Sequence, residues 1–214
     1  MAVNTQKSQR WQRRKDSRPA ELLDAALSEF FEKGFEAARL EDIAARAGVT
    51  KGTIYLYFHS KEDVFEALVR SVPQANLALL QQIANDPDQP PEMLLERFLQ
   101  LAGTFIRDER LSRFPRLVIA AAGRFPRLAD IYRNNVIEPA VAQLADIIGA
   151  GVKRGVFLPV DPLQAAYAAV APLLFTAIWK TTFQRENEAT FPDAGFAEQH
   201  IRMFIRGIRK DGGS

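Results

Sequence analysis

Leu23, Ala26, Leu27, Phe30 and Phe31 recur at i, i+3, i+4, i+7 and i+8, the spacing that gathers side chains on one face of an α-helix. No stretch alternates with the period of two that a half-buried strand requires, so the predicted fold is all-α, of about nine helices. Pro19 suits the first turn of this helix and Gly34 its left-handed stop. A short second helix is predicted over residues 40–47 and ends at Gly48. A third follows over residues 51–58, with Thr50 placed to cap it. Ser60 and Asp63 resemble a capping box that opens a fourth helix, with Val64, Phe65, Leu68 and Val69 turned inward. That helix is expected to continue as a connector to about residue 85, until the proline- and aspartate-rich stretch 86–91 breaks the chain.

Leu94, Leu95, Phe98, Leu101, Ala102 and Phe105 mark a fifth helix. Pro115 and Pro126 stand where a short sixth and a long seventh could begin, and Pro139 is expected to kink the seventh by removing one internal hydrogen bond. Residues 151–159 read as a turn, Asp161-Pro162 as the cap and first turn of an eighth helix. Ala197, Ile201, Phe204, Ile205 and Ile208 stripe a ninth. The expected division is a basic flexible arm over residues 1–18, a three-helix domain over 19–68, and a helical bundle over 69–210, with the fourth helix bridging the two.

The segment Leu40-Glu-Asp-Ile-Ala-Ala-Arg-Ala-Gly-Val-Thr-Lys-Gly-Thr-Ile-Tyr-Leu-Tyr-Phe58 carries the functional signal. Two short helices joined by a tight turn at Gly48 have the geometry of a helix-turn-helix. Ile43, Val49 and Ile54 point inward, and Ala44 is small enough for the helices to cross closely. The second of these helices contains no acid; its start offers Lys51 and two threonines to phosphate, and Thr53, Tyr55 and Tyr57 to base edges or backbone.

Leu23-Asp-Ala-Ala-Leu-Ser-Glu-Phe-Phe-Glu-Lys-Gly-Phe35, Ile43-Ala-Ala-Arg-Ala-Gly-Val-Thr-Lys-Gly-Thr-Ile-Tyr-Leu-Tyr-Phe58 and Lys61 together resemble the TetR family of bacterial repressors. The likeness covers residues 19–68 at many fixed spacings. Beyond them, Phe125-Pro126, Pro139 and the Gly155 to Asp161-Pro162 segment resemble a common form of the family's ligand domain. The resemblance implies a homodimer that binds a palindromic double-stranded operator and lets go when a small apolar or amphipathic effector enters the C-terminal bundle. A protein partner in place of the small ligand is the alternative. By position it implies DNA contacts at Thr50, Lys51, Gly52, Thr53, Tyr55, Tyr57 and Lys61, with Gly52 permitting close approach. His59 falls in the turn beside them. Many members carry a hydroxyl pair before the second helix where this chain has Ala38 and Arg39; Arg39 is expected to supply a phosphate contact of its own. The last two helices are expected to pair the subunits through Ala165, Ala168, Ala169, Trp179, Ile201 and Ile205.

Charge adds a further element. The net charge is only +2, but Lys7, Arg10, Arg13, Arg14, Lys15 and Arg18 crowd the start of the chain against Asp16 alone. Arg10, Arg13 and Arg14 are candidates for the minor groove. The arginines from Arg107 to Arg133 read mainly as a solvated face, with Arg124 the candidate to turn inward onto an anionic effector. Phe98, Phe105, Phe114, Phe175, Trp179 and Phe183 are candidates to line its pocket.

Other functions find little in the sequence. There is no cysteine, which removes disulfides, thiolate nucleophiles and cysteine-ligated metals. His59 and His200 are too far apart in sequence to suggest a metal cluster or a histidine-based triad. Gly149-Ala-Gly-Val-Lys-Arg-Gly155 has the wrong spacing for a dinucleotide loop and follows a helix. No cofactor, metal or catalytic set is expected. The basic start lacks an apolar signal core, and the most apolar stretch, near residues 165–179, is short of the ~20 residues a bilayer span needs. A cytoplasmic protein without a membrane role is expected.

Overall fold

A computed structural model describes residues 3–71, 89–108, 110–184 and 194–210, with the side chains of residues 3–17, 105, 106 and 194 left out. No strand occurs among the described residues, and the architecture is all-α as expected. The helices are α1 (Val3–Ala37), α2 (Leu40–Arg46), α3 (Lys51–Tyr55), α4 (Lys61–Ser71) and α5 (Pro91–Arg107). A short 3-10 turn (Leu111–Arg113) leads into α6 (Phe114–Ala122) and α7 (Pro126–Tyr132). After a π-helical turn (Arg133–Ile137) come α8 (Glu138–Lys153), α9 (Pro162–Thr182) and α10 (Ala194–Ile208). The part of the expected connector beyond Ser71 and residues 86–88 of the 86–91 break lie outside the described residues.

Several local signals act as their chemistry requires. Pro115, Pro126 and Pro162 stand in first turns, where the missing N–H has no partner to lose. The Asp161 carboxylate accepts from the Gln164 N–H at 2.8 Å. Ser60 Oγ accepts from the Asp63 N–H, and the Asp63 carboxylate accepts from the backbone of His59, each at 3.1 Å.

Pro19 and Thr50 differ from expectation. Pro19 lies inside α1, which begins at Val3. Gly34, at φ +78°, interrupts the helical backbone as its expected role of stop requires, and helical turns resume to Ala37. Thr50 occupies the cap position of α3, but its hydroxyl pairs with that of Thr53 at 2.9 Å instead of taking a backbone N–H. The kink expected at Pro139 appears as the π turn before it: the Glu138 N–H reaches the Arg133 carbonyl, one residue further back than in an α-helix.

Two cores form. The first joins Leu22, Phe30, Phe35, Ile43, Ile54, Val64 and Phe65 with Phe114, Val118, Leu128 and Ile131 from α6 and α7. The second joins Leu95, Phe98 and Leu99 with Leu144, Ile148, Phe157, Ala169 and Ile201. An isolated antiparallel bridge between Phe157 and Arg209 ties the α8–α9 turn to the end of α10. At 21 residues, α9 is longer than the apolar stretch expected and is long and apolar enough to cross a membrane by length and composition. One face of it nevertheless packs Ala166, Ala169, Leu173, Thr176 and Ala177 into the bundle.

Candidate nucleic-acid interface

The helix-turn-helix is held from beneath. Ile43 and Ile54 are fully buried, Ala44 lets α2 and α3 approach, and Gly48 makes the turn at φ +66°. The recognition helix is shorter than predicted, with Leu56 and Tyr57 donating to carbonyls three residues back as its end tightens. Ile54 and Phe58 anchor it inward, so Lys51, Gly52, Tyr55, Leu56 and His59 are exposed together, with Thr53 and Tyr57 half-buried beside them. Among the described residues, a Cβ added to Gly52 would meet only Thr50 Oγ1, at 4.0 Å.

A second set of contacts orients α2 on α1. Glu29 is buried to 2% exposure among apolar neighbours. It accepts an ion pair from Arg46 Nε at 3.0 Å and another from Lys33. Arg46 also grips Glu32, and Lys33 reaches Asp42 at 3.1 Å. Hydrogen bonding from Arg46 lowers the Glu32 carboxyl below its ordinary range. This clamp was not anticipated, although its signal was visible: Glu29 interrupts the apolar stripe between Ala26 and Phe30.

Arg39 is exposed at the N-cap position of α2 and makes no side-chain cap bond. Ala38 is buried to 2%, which accounts for an apolar residue there. Lys61 donates to the carbonyls of Phe35 (2.8 Å) and Glu36 (2.7 Å), and its ammonium lies 4.8 Å from the Phe35 ring centre and 5.2 Å from that of Phe125. It thus closes the end of α1. Lys51 instead pairs with Glu41 at 2.8 Å. The side chains of Arg10, Arg13 and Arg14 lie outside the described residues.

The sequence reading also missed Leu56, which leaves 81% of its surface exposed on the recognition helix. Flanked by two tyrosines in an apolar run, it carries no periodic sign of pointing outward.

The residues expected to line an effector pocket are dispersed. Phe98 is buried in the second core and Phe114 in the first. Phe175, Trp179 and Phe183 instead form a row along α9, with neighbouring ring centres 5.7 and 5.2 Å apart. Phe175 and Phe183 are exposed. The Phe105 side chain lies outside the described residues. Arg124 does not turn inward: it is 73% exposed and pairs with Glu36 of α1. Arg110 likewise pairs with Asp24, and Arg127 with Glu66 of α4 at 3.5 Å, so part of the arginine series fastens the bundle to the DNA-facing helices. A separate open groove of about 530 Å³ runs between α5 and α10, lined in part by Arg97, Leu101, Arg107, Ile201 and Arg202.

Of the expected subunit contacts, Ala169 and Ile201 are buried in the protomer's own core. Ala165, Trp179 and Ile205 are half-buried, and Ala168 is exposed. The apolar side chains left facing outward on α9 and α10 include Leu163, Tyr167, Leu174 and Met203.

An exposed recognition helix on a braced three-helix base, joined to a larger helical bundle, defines a helix-turn-helix DNA-binding protein. Residues 22–68 match the tetR family of bacterial regulatory proteins, and residues 93–207 match the C-terminal domain of AefR-like transcriptional repressors. The chain belongs to the TetR family of transcriptional regulators. It is 29% identical to the transcriptional regulator RutR of Escherichia coli K12 over 193 residues, covering 88% of this chain and 89% of that protein. It is 27% identical over 203 residues to the transcriptional repressor KstR2 of Mycobacterium tuberculosis, covering 92% and 96%. A TetR-family regulator from Mesorhizobium loti superposes with a TM-score of 0.71 at 25% identity, covering 92% of this chain and 99% of that one.

Proposed function

We propose that the protein is a homodimeric repressor that grips a palindromic operator through two copies of α3 and releases it when a small apolar or amphipathic effector binds the C-terminal bundle. The observation that carries this reading is the outward face of α3. Lys51, Gly52, Tyr55 and Leu56 are exposed to solvent while Ile54 and Phe58 root the helix beneath them. Among the described residues nothing crowds Gly52, which fits a surface shaped for close approach by an outside partner. Arg39 and Lys61 flank that face as phosphate contacts. Repression is supported by the relation to KstR2, which is named a repressor.

Two recognition helices reach successive major grooves only when a dimer sets them one helical turn apart, about 34–36 Å. The outward apolar residues of α9 and α10 supply a surface for that dimer, and the groove between α5 and α10 is the candidate entry for an effector. The aromatic row on α9, with Phe175 and Phe183 exposed on either side of a half-buried Trp179, favours a second reading, in which a protein partner docked along α9 takes the effector's place.

The test is a titration of purified protein against DNA flanking its own gene, with and without candidate ligands, for the parent and for the double variant Tyr167→Glu, Leu174→Glu. The variant is expected to sediment as a folded monomer with near-background operator affinity. A monomer that binds the full site like the parent refutes the dimeric arrangement. Ligand-insensitive binding that is relieved by a protein shifts the assignment to the second reading.

A further inference from the structure

Glu41 stands in the first turn of α2 and reaches across to the recognition helix. Its Oε1 accepts from Lys51 Nζ at 2.8 Å and from the Tyr55 hydroxyl at 3.2 Å. The Lys51 ammonium also lies 5.9 Å from the centre of the Tyr55 ring. One carboxylate therefore gathers two of the side chains assigned above to DNA. The pair is open to solvent, with Lys51 67% and Glu41 41% exposed. Both partners shift in the direction an ion pair requires. The Lys51 hydrogen bond, helped by the backbone and by Tyr55, pulls the Glu41 carboxyl down to about 2, and Glu41 raises the Lys51 ammonium above its ordinary value.

The contrast with Lys61 shows what this arrangement does. Lys61 is held by two carbonyl oxygens, which orient a cation without cancelling its charge, so its full charge stays available to a phosphate. Lys51 is held by a carboxylate, which cancels it. Sequence-independent DNA binding is driven by cations that neutralise phosphates and release condensed counterions. A lysine already neutralised within the protein adds little to that drive, because moving it onto a phosphate strands Glu41 beside a polyanion.

We propose that Glu41 is a specificity gate: in the free protein it occupies Lys51 and Tyr55 as an internal stand-in for phosphate, and only DNA whose base edges engage the recognition helix repays its displacement. Glu41 is thus a positioning residue that acts through Lys51 and Tyr55. The proposal rests on the reading of α3 as the DNA-contacting helix. It accounts for an acid placed against a recognition helix that itself contains none.

The test uses the full chain and one random-sequence duplex, so no operator need be known. Binding is measured against salt for the parent, Glu41→Gln, Lys51→Gln and the double variant. Glu41→Gln is expected to steepen the log–log salt slope by ~0.9 and to tighten binding about eightfold at ~0.1 M salt, the worth of one released cation. In the Lys51→Gln background the same change is expected to leave the slope unaltered, which closes the cycle on this pair. An unchanged slope in Glu41→Gln overturns the gate while leaving DNA binding intact. Equal steepening in both backgrounds also overturns it, by showing only general relief of repulsion. Failure of all four proteins to bind the duplex at low salt refutes the DNA-binding reading itself, and the gate with it.

Discussion

Lys61→Met separates two jobs that one side chain performs. The substitution keeps most of the aliphatic stem and removes the ammonium, which in the parent donates to the carbonyls of Phe35 and Glu36 and lies over the rings of Phe35 and Phe125. A hydrogen bond from a charged donor contributes about 1.5–3 kcal/mol. The bond to Phe35 is partly buried and that to Glu36 exposed, so the low end applies to the first and less to the second. The ring contacts add about 0.5–1 kcal/mol at such a surface. Because these contributions share one atom and are not additive, the expected loss is about 2–3 kcal/mol. For a chain of this size that lowers the midpoint by about 4–12 °C. The carbonyls leave the lysine's charge intact, so the salt slope of DNA binding should also fall, by ~0.9 for one phosphate contact. Thermal melting reports the first effect and a salt titration the second. A variant that melts like the parent would falsify the helix-closing role, and a lowered midpoint with an unchanged slope would confine Lys61 to structure.

Leu56→Ala should leave melting unchanged, since the side chain is 81% exposed, yet weaken operator binding by about 1 kcal/mol through a lost apolar contact such as a thymine methyl. Equal loss on operator and random DNA in a fluorescence titration removes Leu56 from sequence reading. Gly151→Ala should destabilise by about 1–3 kcal/mol, because the added methyl overlaps the buried Phe157 ring; melting within a degree of the parent contradicts that packing. The Glu41 carboxyl, depressed to about 2, should keep its link to Lys51 as pH falls through the ordinary carboxylate range and lose it only near pH 2. In Lys51→Gln the carbon NMR midpoint should climb toward ~4.3, and a midpoint that stays low excludes Lys51 as the main cause.

The helix-turn-helix was legible because its inner and outer positions differ in chemistry: Ile43, Ile54 and Phe58 are apolar and inward, while Lys51 is charged and outward. Where a helix is apolar all round, composition stops discriminating. Along α9, Phe175 and Phe183 look no different in sequence from Leu173, yet they face outward and it faces inward. That is why the exposed Phe175 and Phe183 were grouped with Phe98 and Phe114, which lie buried in two different cores. Arg124 was misplaced for a related reason. Its partner Glu36 is 88 positions away in the chain, and pairing over that distance leaves no local pattern. Pro139 was expected to kink its helix, whereas the irregularity found is a π turn just before it, and that outcome depends on how neighbouring carbonyls are re-paired. Here the Asn135 amide reaches back to Ile131 at 2.8 Å.

The first core also bears on how such a regulator could be taken apart or recombined. Phe114 packs edge-on against Phe31 at 5.6 Å, and Phe125 against Phe35 at 5.0 Å. The wall of the DNA-reading unit is therefore built from chain that follows α5. A fragment cut after Ser71 uncovers those phenylalanines to water, and a chimera that joins the first four helices to another sensor leaves them facing an unrelated surface. A transferable cassette must carry residues 110–132 with it, grafted from the middle of the sequence. The portable unit of this protein is discontinuous in sequence, and a sensor can be exchanged only around that segment.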